Sequence, residues 1–143
     1  MVSPSYKPHR LRDERIRSAK RGIRAILPAK LNASHKTELL GTCIWKLSEA
    51  DGKWNVRYWS KAALSAPKSE RQHEHVHEIR KLVLALLQGR NIDRVARRVV
   101  ACIVTRAEHR RLSAPVLHKQ DGWNRYRAAK VPVVDILTGR RKA

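Results

Sequence analysis

The feature that most constrains this chain is its surplus of cations. Its 143 residues carry 32 Lys and Arg against 12 Asp and Glu, a formal net charge of +20. Self-repulsion on that scale opposes folding unless a polyanion is near. Nucleic acid is the polyanion that fits best, because each phosphate neutralised by Lys or Arg releases bound counterions. An anionic membrane surface is the weaker candidate. No apolar run approaches the ~18 residues of a spanning helix, so no transmembrane segment is expected. The charged N-terminus is not followed by the apolar stretch of a secretory signal. Apolar residues make up 42% of the chain, enough for a modest core, so the length predicts one domain. Phe is absent, and four Trp and three Tyr must supply the aromatic bulk. Cys43 and Cys102 lie in apolar, strand-like stretches without a CxxC pattern. They read as reduced core thiols in a reducing cytoplasm rather than as a disulfide or a zinc knuckle.

Along the chain, residues 1–36 read as a basic N-terminal arm. Arg10, Arg12, Arg15, Arg17, Lys20, Arg21 and Arg24 stand on a segment that can be helical over 10–27, with a thin apolar face of Leu11, Ile16, Ile23 and Ile26. Such a helix is marginal alone and is expected to order on contact with nucleic acid. Residues 40–60 read as a β-hairpin. Cys43, Trp45 and Leu47 alternate on one strand, Asp51-Gly52 makes a type I′ turn, and Trp54, Val56 and Tyr58 alternate on the other. Trp45 and Trp54 are expected in the core, while Arg57 and Trp59 are candidates for a face that meets nucleic acid. Residues 61–70 read as a loop or short helical turn.

Ile79, Leu82, Val83, Leu86 and Leu87 then mark one helical face, ended by Gly89. Asn91 opens a second helix whose outer face carries Arg94, Arg97 and Arg98. Residues 101–104 read as a buried strand. Thr105 caps a third helix, Arg106 to Leu112, as a capping box with Glu108, and this helix also carries His109, Arg110 and Arg111. A short helix follows over 122–129. Val131 to Leu137 reads as a last strand, placed at a sheet edge by Pro132. The basic tail 139–143 is expected to fray. The organisation expected is therefore a basic arm (1–36), a single α+β domain that binds nucleic acid (37–138) and a basic tail.

His73, Glu74, His75, Val76 and His77 form the most chemically suggestive stretch. In an extended chain the three histidines share one face and Glu74 lies on the other. An acid–histidine pair that ends an extended segment, then a strand, then a helix with Glu108-His109 gives the order β, β, α. Over about residues 72–113 the chain resembles the HNH, or His-Me finger, nucleases. The resemblance implies a ββα-metal-like unit with inserted helices. It implies Glu74 and His109 as metal ligands, His75 as the general base and Asn91 as the residue that orients it. A divalent metal is implied, Mg²⁺ or Mn²⁺ ahead of Zn²⁺. A histidine neutral near pH 7 suits a base, and a carboxylate suits a hard cation.

Each of these residues also has a structural reading. Asn91 is an ordinary N-cap, Glu108 completes a capping box, and His73 and His77 are surface histidines. Two functions from different classes follow. One is a metal-dependent endonuclease cutting DNA in preference to RNA. The other is a non-catalytic basic protein, an accessory subunit with protein partners in a nucleoprotein complex.

Overall fold

The computed structural model describes residues 3–143, so Met1 and Val2 of the expected arm lie outside the described residues. In chain order the elements are α1 (Arg12–Ile26), α2 (Ala33–Ser48), β1 (Tyr58–Ser60), α3 (Lys61–Ser65), β2 (Arg71–His75), α4 (Ile79–Leu87), α5 (Ile92–Ala96), β3 (Ala101–Thr105), α6 (Arg106–Leu112), α7 (Gly122–Ala128), β4 (Val133–Asp135) and β5 (Arg140–Arg141). The class is α+β: seven α-helices and a five-stranded mixed sheet among the described residues. They fall into two compact units. One is helical and comprises residues 8–52 and 77–100. The other holds the sheet and comprises residues 3–7, 53–76 and 101–143.

The helical unit departs from the sequence expectation at both its first segments. Residues 12–26 are not a free arm. Ala19 and Ile23 are buried in an apolar cluster with Leu40, Ile44, Leu47, Leu82, Val83, Leu86 and Val95. Each such side chain removed from water contributes about 1.5–3 kcal/mol, which a thin apolar face gains only by having a partner helix to bury against. That partner, α2, replaces the expected hairpin strand. Two periods overlap in its sequence. Cys43, Trp45 and Leu47 alternate, but Leu40, Ile44 and Leu47 also follow the helical spacing, and these last three are the buried ones. Asn32 caps the start by accepting from the Ser34 amide at 2.9 Å. Cys43 is therefore helical, and its thiol would meet a Cβ placed on Gly22 at 3.0 Å, so α1 and α2 approach closely there.

Asp51-Gly52 ends this helical segment rather than turning a hairpin. The Gly52 amide donates to the Glu49 carbonyl at 2.8 Å with φ at +104°, a conformation that glycine tolerates best. The Asp51 carboxylate accepts from the His9 amide at 2.9 Å and from Arg12 at 3.0 Å. Helices α4 and α5 match expectation. Gly89 has φ at +80°, and the Asn91 side chain accepts from the Arg94 amide at 3.0 Å.

In the sheet unit the strand order is β2-β3-β1-β4-β5. β3 pairs antiparallel with β2 and parallel with β1, β1 pairs antiparallel with β4, and β4 antiparallel with β5. β1 therefore has no hairpin partner before it in sequence. Its Trp59, expected as an exposed surface, is 4% exposed, whereas Trp54, expected in the core, is 38% exposed. β4 is not an edge strand. It is paired on both sides, and Pro132 lies just before it, where a missing amide costs no ladder bond. The tail does not fray, because Arg140 and Arg141 form β5 and Ala143 is buried.

Candidate functional site

Glu74 is the point on which three elements of the sheet unit converge. It sits on β2 opposite Cys102 of β3, and is 8% exposed. Thr105 ends β3 and starts α6 through a complete capping box: its hydroxyl accepts from the Glu108 amide at 3.2 Å, and the Glu108 carboxylate accepts from the Thr105 amide at 2.8 Å. The same Glu108 oxygen takes the Ser60 hydroxyl at 2.6 Å, which ties α6 to the end of β1. With α6 fixed this way, the next residue, His109, donates from Nδ1 to Glu74 Oε2. From α7, Arg125 reaches the other oxygen of Glu74 at 3.2 Å. The same guanidinium donates to the carbonyls of His75 at 2.5 Å, Val76 at 3.1 Å and Leu112 at 3.3 Å. Arg125 is 2% exposed, while the His109 side chain is 41% exposed.

The arrangement is a buried carboxylate held between a buried guanidinium and a solvent-reachable imidazole. A carboxylate held against Nδ1 fixes the orientation of such a ring and favours the tautomer that carries its hydrogen there.

His75 lies elsewhere. Alternation along β2 turns His73 and His75 to the face opposite Glu74. There His73 registers with Ile103 and His75 with Ala101, both in the apolar cluster of Val56, Trp59 and Ala63. The two imidazoles meet edge to face at 5.3 Å. Burial pushes the His75 pKa down to about 3, with the neighbouring His73 and Arg125 adding to it, and burial with nearby Lys53 pushes His73 down to about 4. The expectation that Glu74 and His75 act as one metal-and-base pair is thus corrected by the strand period itself. His73 is likewise a core residue, 5% exposed, and not a surface one. Asn91, expected to orient the base, belongs to the helical unit and uses its side-chain oxygen as the α5 cap.

The expected Mg²⁺, Mn²⁺ or Zn²⁺ does not fit these residues as they are arranged. Among the described residues no group of three or more His, Cys, Asp or Glu side chains is placed to hold a metal ion. Both oxygens of Glu74 already face a donor, and the positive charge beside it is that of Arg125. Arg125 was missed in the sequence. Nothing local distinguishes it among so many arginines, and its role comes from contacts more than ten residues away in the chain.

The expected nucleic-acid contacts divide into anchored and outward groups. In α1, Arg12 is bound to Asp51 and Arg15 donates to the Ala50 carbonyl at 3.1 Å. Lys20 pairs with Asp93 at 2.9 Å, and Arg24 lies 4.0 Å from the same carboxylate. Arg10, Arg17 and Arg21 are exposed. In the sheet unit, Arg57 makes a two-pronged pair with Asp135 at 2.9 and 2.6 Å, which holds that carboxyl well below its usual range. Arg110 is exposed, and Arg111 donates to the Ala129 carbonyl at 3.3 Å. Arg94, Arg97 and Arg98 are exposed on and after α5, Arg98 donating to His77 Nδ1 at 3.3 Å. Arg94 and Arg98, with Lys81 and Arg90, line a groove of about 520 Å³ whose floor includes Leu84, Ala85 and Val95. Lys81 and Arg90 were not expected there, and they join it because the α4–α5 turn folds them back beside α5.

No helix among the described residues is long and apolar enough to cross a membrane. No protein-family model, no curated protein and no solved structure matches this chain.

Proposed function

We propose that the protein binds nucleic acid, DNA in preference to RNA, and holds it chiefly by its phosphates. The observation that carries this reading is the groove in the helical unit, where Lys81, Arg90, Arg94 and Arg98 come together in a chain of net charge +20. A surface of this kind gains affinity by releasing counterions from phosphate, without reading bases. A role as an accessory subunit of a nucleoprotein complex fits the same surface. The test is binding of a labelled oligonucleotide over a range of salt. The logarithm of the affinity should fall linearly with the logarithm of salt concentration. Arg94→Ala or Arg90→Ala should each reduce that slope by about one. Weak binding at low salt with no slope would sink the reading.

A second reading, phosphodiester hydrolysis, is favoured by one specific observation: antiparallel β2 and β3 followed by α6, with His109 of that helix bonded to Glu74 of the first strand. Of the residues that the ββα resemblance would bring together, Glu74 and His109 meet while His75 does not, and His109 is the accessible imidazole. Supercoiled plasmid, with and without added Mg²⁺ or Mn²⁺, tests it. Nicking lost in His109→Ala and kept in His75→Ala supports this reading. An intact plasmid under every condition leaves binding as the function.

A further inference from the structure

Helix α7 ends in a turn that its sequence does not favour. The Lys130 amide donates to the Arg127 carbonyl at 3.1 Å, and the Val131 amide to the Tyr126 carbonyl at 2.9 Å. This pair of bonds is a Schellman stop, in which the residue after the cap turns left-handed and is most often glycine. Here it is Lys130, with φ at +55°. Among the described residues it is the one non-glycine residue with a positive φ. A Cβ in that conformation crowds the backbone, so a lysine is held there at a cost in stability. Its neighbours hold the turn in place, since Tyr126 and Val131 are buried. Strain kept by its surroundings in this way marks positions where a side chain serves function.

Lys130 is exposed and lines a cavity of about 450 Å³ with Arg127, Val131, Pro132, Arg141 and Ala143. Arg127 comes from the last turn of α7, and its guanidinium is oriented by the Asn124 side-chain oxygen at 2.8 Å. Arg141 comes from β5 and donates from Nε to the Ala143 oxygen at 3.0 Å. No Asp or Glu side chain lines the cavity. Three carboxylates of the sheet unit are engaged elsewhere: Glu74 with Arg125 and His109, Glu108 with Ser60, and Asp135 with Arg57. A carboxylate at the end of Ala143 would still leave a surplus of two positive charges among the three cations. The apolar walls of Val131, Pro132 and Ala143 sharpen both the repulsion among those cations and their attraction for an anion.

We infer that this cavity is a phosphate site, in which a backbone phosphate of bound nucleic acid is held by Arg127, Lys130 and Arg141. The inference rests on the nucleic-acid reading above and adds to it a contact in the sheet unit, distinct from the groove of the helical unit. Guanidinium forks match the oxygens of a phosphodiester, and a lysine ammonium adds a point charge beside them. Lys130 offers its charge from a turn that packing has already fixed, so little backbone freedom is lost when the anion arrives. A glycine in its place would ease the turn and leave the cavity one cation short.

The experiment measures binding of a labelled oligonucleotide over a range of salt, with thermal melting of each variant. Lys130→Gly removes the charge and relieves the strain together. It should reduce the salt slope by about one and weaken binding several-fold at low salt, while melting no earlier than the wild type. Lys130→Arg should keep the slope, and Arg127→Ala should reduce it by about one. Arg90→Ala, in the groove, reports on the nucleic-acid reading alone. If it reduces the slope while Lys130→Gly and Arg127→Ala both leave it unchanged, the inference falls and the reading stands. Binding of no oligonucleotide removes both. If Lys130→Gly melts early, the exposed Arg127→Ala decides, and an unchanged slope in it overturns the inference. Inorganic phosphate tests the other source of the same chemistry. Stabilisation by phosphate beyond that by NaCl of equal ionic strength, lost in Lys130→Gly while the oligonucleotide slope is unchanged, assigns the cavity to a free phosphate and overturns the inference. An equal loss of polyglutamate binding in these variants assigns it to polyanions at large and also overturns the inference.

Discussion

At the scale of single residues, Arg125 decides how Glu74 can be buried at all. Removing one partner of a buried ion pair leaves the other charge uncompensated, at a cost of about 3–5 kcal/mol. Arg125→Ala also leaves the carbonyls of Leu112, His75 and Val76 without this donor. The expected result is a loss of that size in urea unfolding, with Arg125→Lys intermediate because an ammonium cannot fork to all four acceptors. A loss under 1 kcal/mol for Arg125→Ala would mean that Glu74 is not held as described.

His73 and His75 give the pH dependence. Both are held below the ordinary histidine pKa, His73 at about 4 and His75 at about 3. The folded protein keeps them neutral while the unfolded chain takes up protons below about pH 6.5, so the unfolded state binds more protons there. Stability from this source is full above about pH 6.5 and is lost as the pH falls towards 4. Asp135, held low by Arg57, acts in the same direction, but only below the unfolded carboxylate value of about 3.9. Melting temperature should therefore drop between pH 6.5 and 4.5, and a His73→Gln, His75→Gln double variant should flatten that drop relative to its own value at pH 7.5. An unflattened curve would place the linked protons elsewhere.

At the scale of elements, Ser60 is a joint. Its hydroxyl donates to the buried carboxylate of Glu108 at 2.6 Å and accepts from the Ala63 amide at 3.0 Å, so one side chain ends β1, caps α3 and ties down α6. Ser60→Ala should cost about 2–4 kcal/mol, the sum of a lost cap and a lost bond to a charged group. It should also raise amide exchange in both α3 and α6. A rise confined to α3 would show that α6 stands without Ser60.

The elements that were legible in the sequence share a local cause. The α4 face, the Gly89 stop, the Asn91 cap and the Thr105–Glu108 box are each specified within a few residues, and each stands where the sequence puts it. The segment 33–48 was not legible as a helix, because strand and helix periods coincide on Leu47 and only the partner α1 selects between them. The site divides in the same way. Glu74 and His109 were found by residue type and element order. The separation of His75 from Glu74 was implicit in the strand period, yet the family pattern pointed the other way. Arg125 joins them only through the docking of α7.

At the scale of the whole molecule, the charge is a standing load on the fold. A net charge of +20 is relieved by screening, whose range shrinks from about 30 Å at 0.01 M salt to about 8 Å at 0.15 M. The melting temperature should rise with added NaCl at pH 7.5. It should rise further with an oligonucleotide at low salt, since a ligand that binds the folded state stabilises it by mass action. Insensitivity to both would show that the cations are spaced widely enough not to interact.

The division of the chain also has a practical consequence. The helical unit takes residues 8–52 and 77–100, and the sheet unit takes what lies before, between and after them. Neither is a continuous stretch, so no single truncation point yields one unit intact. A chain split in the exposed turn at Gly89-Arg90 would leave β2 and α4 on one fragment and β3 and α5 on the other. Each fragment would lack the hydrogen-bonding or packing partners of the other, and only the two expressed together could refold. The turn between α4 and α5 is thus a natural point at which to build a split reporter of the protein's own assembly.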